Sequence, residues 1–285
     1  MIAIDIDGTL LGSDGVVPRA NAEAIGRAMD AGVMVIPCTG RGWRESGYVI
    51  EQVDAFSRSD QHGIFVTGAM VSELATGKSV EIAAMEPALA AELIAFLGEQ
   101  PEAVLAYRDA GEVGHDYLVT GSCELVGNTD WWFQKTGAKV HTQADVCADD
   151  LHAVLRVGMV AKGARLAPLT ELIEAKYGDR VLVQHFMGVQ MPNPEDTVYI
   201  LEVFAGGVDK WRGVRWISER EGIEPEKIAC IGDEINDVAM LKAAGLGVAM
   251  GNAVPEAAVV ADKRTLRNDD GGVAHAIEMM LDGKW

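Results

Sequence analysis

Cysteine is scarce: Cys38, Cys123, Cys147 and Cys230 are the four in 285 residues, and none falls in a CxxC spacing. That excludes a disulfide-stapled scaffold, leaves no readable zinc site, and fits a reducing cytoplasm. Positive charge is also short, with 24 Lys plus Arg against 43 Asp plus Glu and a net charge of -19. Such a field repels nucleic acid and anionic membrane surfaces, so neither is an expected partner. No apolar run reaches the length of a membrane span, and the opening MIAIDIDGTL lacks a basic region followed by an apolar stretch and a small-residue cleavage site. The expectation is a cytoplasmic chain without a membrane segment. Internal repeats and low-complexity tracts are absent too.

What is present is a folding composition, 49% hydrophobic and 24% charged, in a chain long enough for two domains or for one with a large insertion. Short apolar runs at Met1 to Ile6, Val33 to Cys38 and Gly63 to Val66 read as buried strands. Between them, Pro18 to Asp30 and Gly42 to Val53 have helical spacing. This alternation predicts a doubly wound parallel α/β sheet, followed by a hairpin of Met70 to Leu74 and Lys78 to Ile82. From about Ala84 the order becomes irregular: helices at Pro87 to Leu97 and Leu166 to Tyr177 accompany strands at Ala103 to Tyr107, Tyr117 to Thr120, Leu155 to Val160, Val181 to Phe186 and Val198 to Phe204. After Gly206-Gly207 the strand and helix alternation resumes. The expected organisation is an α/β core of residues 1–83 and 206–285 with an α+β insertion over 84–205, hinged near Ala83-Ala84 and Gly206-Gly207.

Acidic residues cluster after two of the apolar strands. Asp5 and Asp7 stand two apart, which in an extended chain turns both side chains to one side. Taken alone the pair reads equally well as a solvated turn. Asp233, Glu234 and Asp237 follow the strand at Ile228 to Ile231. In a doubly wound sheet the carboxyl ends of the strands form the ligand edge, so neighbouring strands would bring Asp5, Asp7, Asp233 and Asp237 together. Carboxylates that close repel one another unless a cation lies among them, and hard oxygen donors suit Mg2+. Thr39-Gly40-Arg41 follows the second strand; taken alone such a segment reads as an ordinary loop, but there the Thr39 hydroxyl and Gly40 amide could hold phosphate oxygens. Lys210 opens a helix, a position the macrodipole disfavours for a cation; it is either a solvated lysine or a functional one.

These four segments, in this order, resemble the haloacid dehalogenase superfamily of phosphohydrolases: Asp5-Ile6-Asp7-Gly8-Thr9-Leu10, Thr39-Gly40-Arg41, Lys210, and Gly232-Asp233-Glu234-Ile235-Asn236-Asp237. The long insertion and the tail from Gly251-Asn252-Ala253 to Ala274 look like the Cof-type subgroup with a type IIB cap. The resemblance implies a Mg2+-dependent phosphomonoesterase acting on a small phosphorylated metabolite. Asp5 would be the nucleophile, Asp7 the acid and base, and Thr39, Gly40, Lys210 and Asn236 the groups around the phosphoryl. Asp5, Asp7 (through its carbonyl), Asp233 and Asp237 would surround the metal, Asp237 either directly or through a neighbour. Three positions depart from the pattern: Thr67-Gly68-Ala69 replaces the usual Asn-Gly-Ala, Glu234 replaces Asn or Ser, and Trp211 replaces Gly. The rival functions are a phosphotransferase or mutase with the same nucleophile, and a catalytically weak phosphate-binding regulator. Within the insertion, Trp131 and Trp132 are expected to pack, and His115 and Asp116 to lie in a solvated hairpin loop.

Overall fold

The computed structural model describes residues 1–57, 61–189 and 191–285. The chain divides into two compact units, one of residues Met1–Glu81 and Asp209–Trp285, the other of Ile82–Val208.

The first unit begins with β1 (Ile2–Asp5), α1 (Arg19–Asp30), β2 (Val35–Cys38), α2 (Trp43–Ile50), β3 (His62–Phe65), β4 (Met70–Glu73) and β5 (Ser79–Ile82). The insertion carries α3 (Pro87–Leu97), β6 (Ala103–Arg108), α4 (Ala110–Val113), β7 (Tyr117–Gly121), α5 (Thr129–Thr136), β8 (Val140–Thr142), β9 (Val154–Lys162), α6 (Ala167–Tyr177), β10 (Val181–Val189) and β11 (Val198–Ala205). The first unit then resumes with α7 (Lys210–Arg220), β12 (Ala229–Gly232), α8 (Val238–Ala243), β13 (Leu246–Ala249), α9 (Pro255–Val260), β14 (Lys263–Arg264) and α10 (Gly272–Leu281).

In the first unit the sheet order is β14-β13-β12-β1-β2-β3-β4-β5. The strands from β14 to β3 are parallel, and β4 runs antiparallel to β3. Strand order therefore reverses beside β1, since the chain winds from β1 through β2 to β3 on one side and from β12 to β14 on the other. The crevice outside such a switch point is where open α/β sheets take ligands. Register places Asp5 opposite Cys38, Cys38 opposite Ile64 and Ile4 opposite Ile231, so the carboxyl ends of β1, β2, β3 and β12 share one edge.

The central strands β1, β2 and β12 are buried along their whole length, and so they read as continuous apolar runs rather than alternating ones. Val214 and Ile217 of α7, Met240 and Leu241 of α8 and Ala257 of α9 pack with Ala3, Ile36, Ile64 and Cys230 of the strands. Each fully buried Val, Ile, Leu or Met among them contributes about 1.5–3 kcal/mol. Helices α1 and α10 form another layer, tied where Asn21 Oδ1 accepts from Ala274 N at 3.0 Å. The C-terminal helix α10 is not foreseen by the strand and helix alternation.

In the second unit a six-stranded sheet, β10-β11-β9-β6-β7-β8, is antiparallel except between β7 and β8. Leu89, Leu93 and Leu97 of α3 and Leu169 and Ile173 of α6 pack with Val104, Leu118, Val157, Met159 and Leu201 in its core. No helix among the described residues is long and apolar enough to cross a membrane.

Candidate active site

The alternation expected through Asp5 and Asp7 ends at Asp5, because β1 stops there. Residues Ile6–Leu10 form a tight turn in which Gly8 takes φ +76, closed by Leu11 N donating to Ile6 O at 2.9 Å. A side chain at Gly8 would be strained by that backbone, and its Cβ would stand 2.2 Å from Asp233 Oδ2. The turn sends the two acids to different surroundings. Asp5 is buried at 3% exposure, whereas the Asp7 side chain is 53% exposed.

Lys210, at the start of α7, is fully buried, and its ammonium is fully engaged. Nζ donates to Asp5 Oδ1 and Asp237 Oδ1, both at 2.6 Å, and to Asn236 Oδ1 at 3.2 Å. A solvated lysine is thereby excluded. Burial alone would lower the Lys210 pKa, but Asp237 and Asp5 outweigh it and hold the group charged. Asp237 in turn uses its second oxygen to accept from Asp233 N at 2.8 Å and Glu234 N at 3.0 Å. It holds Lys210 to the backbone of the β12 loop, from a short helical turn, Ile235–Asp237, that leads into α8. Glu234 keeps its carboxylate on Ile235 N at 2.9 Å, away from the cluster.

Asp233 Oδ1 accepts from the Thr9 hydroxyl at 2.7 Å, and Oδ2 from Asn252 Nδ2 at 3.2 Å. The same Asn252 amide donates to Gly8 O at 2.8 Å, clamping the first loop to the fourth. Asp5, Asp233 and Asp237 each offer a carboxylate oxygen within 4.8 Å of the others. Burial pushes the Asp5 carboxyl well above the usual range against the pull of Lys210, and pushes Asp233 up to about 7. Asp5 Oδ2 is buried without a hydrogen-bond partner. An orphaned carboxylate oxygen beside two further acids and one ammonium is a donor set that fits a hard divalent cation.

On the β2 side, Thr39 is fully buried and its Oγ1 accepts from Arg41 N at 3.1 Å, which keeps its own O–H available as a donor. Glu45 fixes the entry to α2 by accepting from Gly42 N at 2.6 Å. Arg41 reaches across to Asp7 with both arms of its guanidinium, Nε to Oδ2 at 2.7 Å and Nη2 to Oδ1, while Nη1 meets the Tyr48 hydroxyl at 2.8 Å. Burial works against the charge on Arg41, and Asp7 more than restores it.

Arg41, Thr9 and Asn252 lie within the motifs, but their work is invisible in sequence because their partners, Asp7, Asp233 and Gly8, lie far along the chain. In the insertion, Asp116 corrects the expectation of a solvated loop. It is buried, and Oδ2 accepts from Lys139 N at 2.8 Å. His115 Nε2 meets Arg108 Nη1 at 3.2 Å. Trp131 is 55% exposed beneath Lys135, Trp132 is half-buried and only Phe133 of that cluster is core.

The chain is similar over its whole length to known proteins. It is 26% identical to the 5-amino-6-(5-phospho-D-ribitylamino)uracil phosphatase YwtE of Bacillus subtilis, covering 100% of this chain and 99% of that one. It is 28% identical to the phosphatase of the same description, YcsE, from that organism, covering 97% and 94%. Among solved structures, a haloacid dehalogenase-like hydrolase from Bacteroides thetaiotaomicron shares the fold with a TM-score of 0.77 at 23% identity, over 98% of each chain. The subclass IIB sugar phosphatase BT4131 shares it with a TM-score of 0.74 at 19% identity, over 99% and 98%. The family model for haloacid dehalogenase-like hydrolases matches residues 2–277, and the chain belongs to that family.

Proposed function

We propose that this chain is a Mg2+-dependent phosphomonoesterase working through an aspartyl-phosphate on Asp5, with a small phosphorylated metabolite as substrate. The observation that carries the reading is Asp5 itself, buried, with one carboxylate oxygen held by Lys210 and the other without a partner. A carboxylate so placed offers one oxygen to a cation and the other to phosphorus.

Asp5, Asp233 and the Asp7 carbonyl would hold the ion. Asp237 has both oxygens committed to Lys210 and the β12 loop, and so acts as the anchor of that lysine. Bound there, Mg2+ supplies charge neutralisation for the phosphoryl oxygens. Lys210 supplies a fixed positive charge toward the same oxygens, and the Thr39 hydroxyl and Gly40 amide would meet them from the loop between β2 and α2. Asp5 attacks phosphorus and the P–O bond to the leaving group breaks; Asp7 gives the departing oxygen a proton and then takes one from the water that cleaves the acyl-phosphate. Arg41 orients Asp7 for both transfers.

Two relatives named as phosphatases of a phosphorylated ribitylaminouracil, and the structural likeness to a sugar phosphatase, support a small phosphorylated metabolite as the substrate class. We place substrate choice in the insertion, whose polar and aromatic residues the chemical step does not use. The cytoplasm fits such a substrate and the unpaired cysteines.

The test is a phosphate-release assay over a panel of phosphorylated metabolites and an aryl phosphate, on wild type and Asp5→Asn. Release by wild type and none by the nearly isosteric variant supports the reading. Transfer of phosphate to an added alcohol or sugar without release would favour a phosphotransferase. No turnover on any member would favour a binding protein.

A further inference from the structure

Thr67 occupies a position that packing does not explain. It takes φ +54 and ψ +35, the left-handed region in which a β-branched residue is strained. Its side chain is fully buried, yet Oγ1 has no hydrogen-bond partner. Both features cost stability, and neighbours hold them in place. Thr67 N donates to Thr39 O at 3.0 Å and Val66 N to Arg41 O at 2.9 Å, stitching this loop to the one that follows β2. On its other side Arg212 Nη1 donates to Gly68 O at 3.2 Å, and Gly68 lies so close to the start of α7 that a Cβ there would stand 1.9 Å from Asp209 O.

The hydroxyl lies beside Gly40, in the loop that follows β2. A methyl group on Gly40 would stand 3.4 Å from Thr67 Oγ1 and 3.6 Å from Asn236 Nδ2, so the missing side chain of Gly40 leaves a space walled by these two polar groups. Asn236 is the residue whose Oδ1 meets Lys210 Nζ. A tetrahedral phosphoryl group presents more acceptor lone pairs than Lys210 and Thr39 can occupy, and an unpartnered buried O–H beside them supplies a further donor.

We propose that Thr67 is a substrate-positioning residue whose hydroxyl donates to a non-bridging oxygen of the phosphoryl group held beside Asp5 and Lys210. This rests on the reading of the site given above. Strain and a missing partner in the free protein then have one cause, a donor kept ready for an anion.

The test uses inorganic phosphate with Mg2+ as the probe, titrated calorimetrically into wild type, Thr67→Val and Thr67→Ser, with melting temperatures and aryl-phosphate kinetics measured beside it. Thr67→Val keeps the branched shape and removes only the donor. It should weaken phosphate binding about tenfold or more, the effect of losing a hydrogen bond to a charged group, and raise KM, while the melting temperature stays level or rises. Thr67→Ser should bind phosphate within about twofold of wild type, since the donor is retained. Equal affinity in wild type and Thr67→Val would overturn the proposal, and so would an equal loss in both variants accompanied by a lower melting temperature. If wild type neither binds phosphate nor releases it from any substrate, the phosphomonoesterase reading fails and takes this one with it. If wild type does both and Thr67→Val matches it, the role of Thr67 alone is wrong.

Discussion

Arg41 holds Asp7 with a forked pair, Nε to Oδ2 at 2.7 Å and Nη2 to Oδ1, across 34 positions of sequence. Asp7 is the more exposed of the two first-motif acids, so without that fork its carboxylate would sample several rotamers. The fork fixes direction, and a proton donor and acceptor depends on direction as much as on pKa.

Removing the fork should therefore lower kcat more than it raises KM. Loss of a charge-assisted contact of roughly 1.5–3 kcal/mol corresponds to a fall of about 10- to 100-fold in kcat for Arg41→Ala. Arg41→Lys, with a point charge instead of a planar fork, should recover only part of it. Steady-state kinetics on an aryl phosphate decides. A variant changed only in KM would place Arg41 on the substrate rather than on Asp7.

Lys210 should matter to folding as well as to turnover. It is wholly buried against two carboxylates, and Lys210→Met would leave Asp5 and Asp237 without their cation. Breaking one side of a buried ion pair costs about 3–5 kcal/mol, or roughly 6–20 °C in Tm for a domain of this size. Thermal melts in chelator should show that loss, and Mg2+ should restore part of it by supplying the missing charge. A melting temperature equal to wild type in chelator would mean that the acids are neutral in the folded chain.

The convergence of Asp5, Asp233 and Asp237 was legible because parallel strands deliver their carboxyl ends to one edge, and short apolar runs mark those strands in sequence, whereas Lys210 was placed beside them by the family resemblance alone. The direction of Asp7 was not legible, since it depends on Gly8 turning the chain one residue after it. Asp116 reads as a loop acid in any sequence window, and its contact with the backbone of Lys139, 23 positions on, is invisible there. Thr67 was visible as a departure from a pattern, but its unpartnered hydroxyl shows only in the folded chain. Local chemistry thus announced the charged centre, while long-range contacts decided what supports it.

The insertion offers a contrast between Asp116, expected in a solvated loop and found buried, and Trp131, expected to pack and found exposed. Asp116→Ala would remove the carboxylate that accepts from Lys139 N in a part-buried contact, a loss of about 0.5–1.5 kcal/mol, and should lower Tm slightly while scaling all substrates alike. Trp131→Ala removes an exposed ring whose contact with Lys135, 5.3 Å from its centroid, contributes about 0.5–1 kcal/mol. It should leave Tm almost unchanged and reorder the metabolite panel, if choice of substrate resides in the insertion. A Trp131→Ala enzyme with the wild-type ranking would move that choice to other residues.

The carboxylate cluster makes stability depend on pH in a sense opposite to that of most surface acids. Burial, opposed by the Thr9 hydroxyl and reinforced by Asp237, raises Asp233 to about 7, against about 3.9 in the unfolded chain. Below both values each state binds the proton, and the contribution of Asp233 is fully retained. Between about 4 and 7 the unfolded chain has released a proton that the folded chain keeps, so the cation-free protein loses stability as pH rises through that window. Asp5, raised by burial as well, acts in the same direction. A divalent cation takes the ionised carboxylates and displaces their protons, so its stabilising effect must grow over the same window. Melting temperatures at pH 5, 6, 7 and 8, in excess Mg2+ and in excess chelator, should therefore diverge with rising pH. Parallel curves would show that the cation engages none of these acids, and the assignment of Asp5 and Asp233 as its ligands would fall.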